Sequence, residues 1–233
     1  MTTTLSALGF ALIPLAAGFI GALIAVVRPP GPKLTSAVQH FAAGVVFAAA
    51  AGEILPDILE QGGIVPTLIG GLAGIVAMLA LARLEDLAEG PVGLLATVGI
   101  DLLIDGLVLG IAFAAGSTAG ILLAAALTLE VLFLSVSTAI GLAARVRSAA
   151  RVVVMTAGVV LLLPLGVLMA APVEYASEPV KTGLFAFGLV ALLYLVTEEL
   201  LVEAHEQVED TPWITALFFL GFLVLLVLQE AVG

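Results

Sequence analysis

The chain contains no cysteine, which excludes disulfide staples and thiolate metal sites alike. Its only two histidines, His40 and His205, are too few for a site built from several imidazoles of one chain. Basic residues are also scarce, 7 Lys and Arg against 18 Asp and Glu, for a formal net charge of −11. That balance argues against a nucleic-acid partner and against a polybasic tail for anionic lipid. It fits a salt-rich habitat or a handler of cations. Charge of either sign makes up 11% of the 233 residues, where a soluble domain carries about a quarter.

Apolar residues fill the gap. They reach 62% of the chain, with a mean hydropathy of +1.30, and they recur along its whole length. This is the composition of a polytopic membrane protein. The N-terminal "MTTTLSALGFALIPLAAG" lacks the basic leader region of a secretory signal, so its apolar run reads as a retained first span.

A helix needs about 20 mostly apolar residues to cross about 30 Å of hydrocarbon. Breaks rich in Pro, Gly and charge leave eight such segments: 5–27, 36–59, 64–82, 92–114, 119–143, 151–171, 182–203 and 212–231. The expected fold is therefore all-α, a single eight-helix transmembrane domain over 1–233 with short connections. Arg28, Lys33, Arg83, Arg145, Arg147 and Arg151 fall on one side of the bilayer and Lys181 alone on the other. The excess of Lys and Arg in cytoplasmic loops then puts both termini outside, in the cell membrane.

Two stretches echo each other. "EILPDILEQGGIVP" (53–66) and "ELLVEAHEQVEDTP" (199–212) match at a constant offset in Glu53 and Glu199, Leu55 and Leu201, Glu60 and Glu206, Gln61 and Gln207, and Pro66 and Pro212. Asp57 pairs with Glu203 conservatively. One reading is two helix ends of similar composition; the other is a duplicated three-helix unit, about 5–82 and 151–231, around a central pair at 92–143. Five crossings separate the copies, so they run in opposite directions. Inverted repeats are typical of transporters with a site near the bilayer midplane.

The fourth segment contains "GIDLLIDGLVLGIAF" (99–113), in which Asp101 and Asp105 share one helical face, about 6 Å apart along the axis. The fifth segment carries Glu130 at similar depth. A carboxylate there costs several kcal/mol unless it is paired, protonated or facing water. Three bare anions on adjacent helices repel, so a proton or a divalent cation must share the site. Asp101, Asp105 and Glu130 are thus candidate metal ligands. The alternative is that the aspartates are protonated and bond to neighbouring helices.

Further acids line possible approaches. Glu53 and Asp57, with Pro56 between them, are candidates for the entrance, where the proline should loosen the backbone. Glu198, Glu199, Glu203 and His205, toward the inner end of the seventh segment, are candidates for the exit. The alternative for both groups is acids facing water at helix ends. His40 reads as an interfacial hydrogen-bonding residue, and Glu85, Asp86 and Glu89 as a solvated loop. Gly44 with Gly52, Gly70 with Gly71 and Gly74, and Gly106 with Gly110 provide small faces for close helix packing.

Eight spans with acids central to the fourth and fifth resemble the ZIP (zinc/iron permease) metal transporters. That family's fourth span carries His-Asn-x-Pro-Glu-Gly. Here "DLLIDG" (101–106) has Asp101 for His, Leu102 for Asn, Ile104 for Pro, Asp105 for Glu and Gly106 for Gly. Of the family's fifth-span motif, "ALTLEV" (126–131) keeps Glu130. "AAGVVFAAAAGEILPDILE" (42–60) is similar to its Ala- and Gly-rich second helix ending in Leu-Pro-Glu, with Asp57 for the last acid. The resemblance implies a divalent-metal carrier. Leu102 and Leu127 stand where polar residues would serve a second ion, so it implies a single central site. Without histidine ligands, the site suits harder ions such as Mn²⁺, Fe²⁺ or Mg²⁺, with Zn²⁺ still in range. The family's long His-rich loop between spans three and four is missing.

The expected function is inward transport of a divalent cation (Zn²⁺, Mn²⁺ or Fe²⁺) by alternating access, with repeat-derived helices rocking against the central pair and some proton coupling. The ion is substrate; no catalytic cofactor is expected, and no enzyme. Expected partners are metal ions, membrane lipids and a second copy of the chain in a homodimer, with no nucleic acid. Two rivals remain. One is a ZIP-like sensor or structural subunit that binds without transporting. The other is an intramembrane aspartyl protease, which needs facing aspartates from different helices; here both share a helix and no Gly-x-Gly-Asp occurs.

Overall fold

The computed structural model describes residues 2–87, 89–207 and 211–232, and among them there is helix and no strand. Eight helices are long and apolar enough to cross a membrane: α1 Thr3–Val27, α2 Pro32–Glu60, α3 Ile64–Leu84, α4 Gly90–Ala115, α5 Ser117–Ala143, α6 Ala149–Tyr175, α7 Glu178–Glu206 and α8 Pro212–Ala231. The protein is an all-α, multi-pass membrane protein. Most spans run a few residues past the segments that hydropathy delimits. Pro32, Pro91, Pro179 and Pro212 lie at the starts of α2, α4, α7 and α8, where a missing N–H has no helical partner anyway. Charged ends such as Lys33 and Glu206 stay helical because their side chains reach the interface. Glu85 and Asp86, read as loop residues from the sequence, instead continue the helix that runs to Leu87. Leu and Glu are good helix formers, and the next helix starts at Gly90, whose φ is 73°.

The helix packing is internally symmetric. α1 lies along α5 and α6 along α4; α2 lies along α8 and α3 along α7. Exchanging α1 with α6, α2 with α7, α3 with α8 and α4 with α5 maps each pair onto the other. Both α2 and α7 also widen into one π-helical turn, at Ala50–Ile54 and Leu195–Leu200. In α2 the cause is Pro56, which has no N–H for the Gly52 carbonyl and whose ring would collide with it. In α7 the Thr197 hydroxyl donates to Leu193 O at 3.0 Å, competing with the backbone ladder.

Hydrophobic burial does not hold helices together in lipid; close packing does. A Cβ on Gly106 would lie 1.9 Å from Leu163 O, and one on Gly166 would lie 2.1 Å from Leu103 O, so α4 and α6 meet backbone to backbone. Gly44 and Gly221 do the same for α2 and α8. Gly110, whose Cβ would strike Ala170, faces α6 as well, so the Gly106–Gly110 face is taken up within the chain. These contacts sort the helices into two groups, α1, α4, α5 and α6 against α2, α3, α7 and α8, which touch mainly through α2 with α5 and α4 with α7. α1 and α6 therefore pack with the central pair, not only with their own repeats.

Candidate metal centre

Asp101 and Asp105 project from the middle of α4, one turn apart, and Glu130 from the middle of α5. All three are buried, at 3%, 1% and 2% exposure. One carboxylate oxygen from each lies within 4.8 Å of the other two. Asp105 Oδ2 and Glu130 Oε2 are buried and have no hydrogen-bond partner in the protein. Native proteins rarely leave a buried polar atom in that condition. At an effective dielectric of about 20, each ionised pair at such a separation repels by roughly 3 kcal/mol. A site of this kind is completed by a proton or a cation. Among the described residues this is the one group of three or more metal-capable side chains that converges.

A cavity of about 480 Å³ leads to the cluster, large against the roughly 30 Å³ that one water occupies. It runs from Gly90 and Arg145, past Leu94, Thr97, Ser137 and Thr138, to Asp101 and Glu130. α7 supplies the opposite wall through Glu198, Glu199 and Glu203. Asp105 sits one turn beyond the cavity's blind end. Past it the lattice of side chains is apolar and closed. Val108, Leu109, Ile111 and Ala112 of α4 are at 0% exposure, and Leu122, Leu123, Ala126 and Leu127 of α5 are at 2% or less. Ala50 and Ile54, in the widened turn of α2, are buried in the same core.

The structure thus brings the three central acids together and gathers Glu198, Glu199 and Glu203 on the same cavity. Glu199 is close enough to Glu130 to act on it electrostatically. Glu203 accepts a hydrogen bond from Gln39 Nε2. His205 is placed elsewhere: its ring lies 5.1 Å from that of His40, beside an open groove shared with Thr197, Leu201, Val202 and Glu206. Glu53 and Asp57 lie toward the opposite end of the bundle, half-buried, with Glu53 hydrogen-bonded to Gln229 of α8.

Sequence reasoning passed over Thr97, Ser137 and Thr138. The signal was present: Thr97 is one turn before Asp101, and Ser137 and Thr138 are two turns after Glu130, on the same faces. Thr97 Oγ1 donates to Leu94 O at 3.0 Å and Thr138 Oγ1 to Leu134 O at 2.7 Å. With their protons held by the helix, these hydroxyls offer lone pairs to the cavity. Gln39 was missed as well, because its partner Glu203 is remote in the chain.

No family model and no curated protein matches this chain. What the fold and site define is a class: a membrane-spanning helical bundle with a buried tricarboxylate cluster at the end of a polar cavity, an arrangement compatible with metal transport.

Proposed function

We propose that this protein carries divalent metal cations across the cell membrane into the cytoplasm, in the manner of the ZIP transporters it resembles. The observation that carries the reading is the convergence of Asp101, Asp105 and Glu130, two of which, Asp101 and Glu130, line the inner end of a cavity. A divalent cation cancels two of the three charges and supplies the partner that Asp105 Oδ2 and Glu130 Oε2 lack. Oxygen-only ligation favours Mn²⁺, Fe²⁺ or Mg²⁺ over ions that prefer imidazole or thiolate, with Zn²⁺ tolerated. Because crossings alternate, Arg28, Lys33, Arg83, Arg145, Arg147 and Arg151 share one end of the bundle, which the positive-inside rule makes cytoplasmic. The cavity opens at that end.

The conformation is then inward-facing. Glu198, Glu199 and Glu203 offer successive carboxylates along the way out, with the hydroxyls of Thr97 and Thr138 opposite. In the outward-facing state the layer from Val108 to Ala112 opens, and Glu53 and Asp57 receive the ion. Movement of α2, α3, α7 and α8 against α1, α4, α5 and α6 achieves this, because the cavity lies where those groups meet. Metal displaces protons from the carboxylates, so flux is coupled to proton release. The test is uptake of Mn²⁺ and Zn²⁺ into proteoliposomes. Asp105→Ala and Glu130→Ala should each abolish it; undiminished uptake by both overturns the reading. Tight binding by the wild type without flux would point instead to a sensor.

A further inference from the structure

The chain's only two histidines, 40 and 205, come from opposite ends of the sequence, yet the fold stacks them against each other at the basic end. Each ring is oriented by its own helix. His40 Nδ1 lies 2.9 Å from Ser36 O, and His205 Nδ1 bonds to Leu201 O, in both cases the carbonyl one turn earlier. A carbonyl only accepts, so Nδ1 carries the proton in each ring, and in the neutral imidazole Nε2 holds the lone pair. This is the tautomer a metal-binding histidine takes when a backbone carbonyl holds its other nitrogen.

Two further observations point to a ligand. His40 is 1% exposed, and its Nε2 is buried without a hydrogen-bond partner in the protein. Such a nitrogen inside a bundle is costly unless something outside the protein completes it. The separation also fits: two imidazoles on one tetrahedral ion, with metal–nitrogen bonds of about 2.0–2.1 Å, put their ring centres about 5 Å apart. The observed distance is 5.1 Å, with the rings inclined at 53°. His205 borders an open groove that also holds Glu206, so its side of the pair is open to the outside.

We propose that His40 and His205 form a second cation site, distinct from the central carboxylates, that takes a borderline transition-metal ion such as Zn²⁺ with two imidazole nitrogens and water. It clamps α2 to α7 close in sequence to the Gln39–Glu203 hydrogen bond. Its ligand chemistry is unlike that of the oxygen-only centre, so the two sites should rank metals differently.

The test uses protein without a histidine tag, carrying Asp105→Asn and Glu130→Gln to disable the centre. Zinc K-edge absorption should show one bound Zn²⁺ per chain with scattering from two imidazoles. Adding His205→Gln should weaken Zn²⁺ binding by at least about tenfold and remove imidazole scattering from the bound metal. His40→Gln should do the same; because His40 is buried and that variant can misfold, the exposed His205 carries the test alone. Wild type with the centre first filled by Mn²⁺ provides the same measurement without the double substitution. Oxygen-only scattering, or unchanged affinity in His205→Gln, overturns the proposal. Neither result bears on flux through the central cluster, which is tested by Asp105→Ala.

Discussion

The two halves of the molecule along the membrane normal, one on each side of Asp105, are built differently from the same helices. Toward the basic end, α4, α5 and α7 diverge around a cavity whose lining includes acids and hydroxyls among leucines and valines. Toward the end that carries the termini, α4 and α5 continue as Leu, Ile, Val and Ala with no measurable exposure through Val108, Leu109, Ile111 and Ala112. Residue type alone does not explain the contrast, since the cavity half has its own leucines. The inner half of α7, widened at Leu195–Leu200, turns Glu198 and Glu199 toward the cavity. The matching turn of α2, Ala50–Ile54, instead buries Ala50 and Ile54 in the closed half. The two widened turns hold equivalent places in the packing yet differ in surroundings, one bordering the cavity and the other closed in the core.

The sharpest way to break the comparison is at its boundary. Asp105→Ala removes a carboxylate at the junction of the wet and dry halves. Metal affinity should fall by more than about 100-fold, beyond the 10–100-fold usual for residues that merely support a ligand. Titration of the purified protein with Mn²⁺ measures this. A loss of only a few-fold would place the binding determinants elsewhere.

Packing comes next. Gly106→Ala drives a methyl group into the Leu163 carbonyl, and backbone on both sides cannot yield locally. A stability loss of about 1–3 kcal/mol is expected, read as a lower unfolding temperature in detergent. Gly158→Ala is the control, because nothing lies within 4 Å of the added methyl. Helix propensity there should raise stability by up to about 1 kcal/mol. Equal effects at the two positions would remove the α4–α6 contact from the account.

Accessibility then sharpens the contrast. The absence of native cysteine makes single-cysteine scanning clean. Ser137→Cys, on the cavity, should react with a membrane-impermeant thiol reagent added at the face of the basic loops. Ala112→Cys, in the closed half, should stay unlabelled from both faces in this conformation. Labelling of Ala112→Cys from outside under transport conditions would capture the opposite state. The smallest expected effect is at the periphery. Lys181 and Glu178 form an exposed ion pair at 3.0 Å, and Lys181→Ala should change stability by less than about 1 kcal/mol.

Much of this was legible in the linear chain. Apolar segments of membrane-spanning length, their eightfold recurrence, and the spacing of Asp101 and Asp105 on one face follow from hydrophobicity and the period of the helix. Those are local quantities, and helix ends were missed where a span runs past its apolar core, as at Pro32, Tyr175 and Glu206. The offset match between 53–66 and 199–212 left two readings open, and it gave no hint of the π turns that α2 and α7 both carry. What the chain could not reveal by itself was which partners meet across it. Glu130 could have faced lipid or another helix; the α4–α5 packing turns it onto Asp101 and Asp105. His40 read as an interfacial residue, and only the contact between α2 and α7 sets it beside His205. Helix rotation and pairing are decided by backbone-close glycine contacts and by polar groups seeking partners in a medium that offers none. Both depend on residues far apart in sequence, so the local pattern determined the spans and their acids, and the tertiary structure determined which acids converge and which end of the bundle is open.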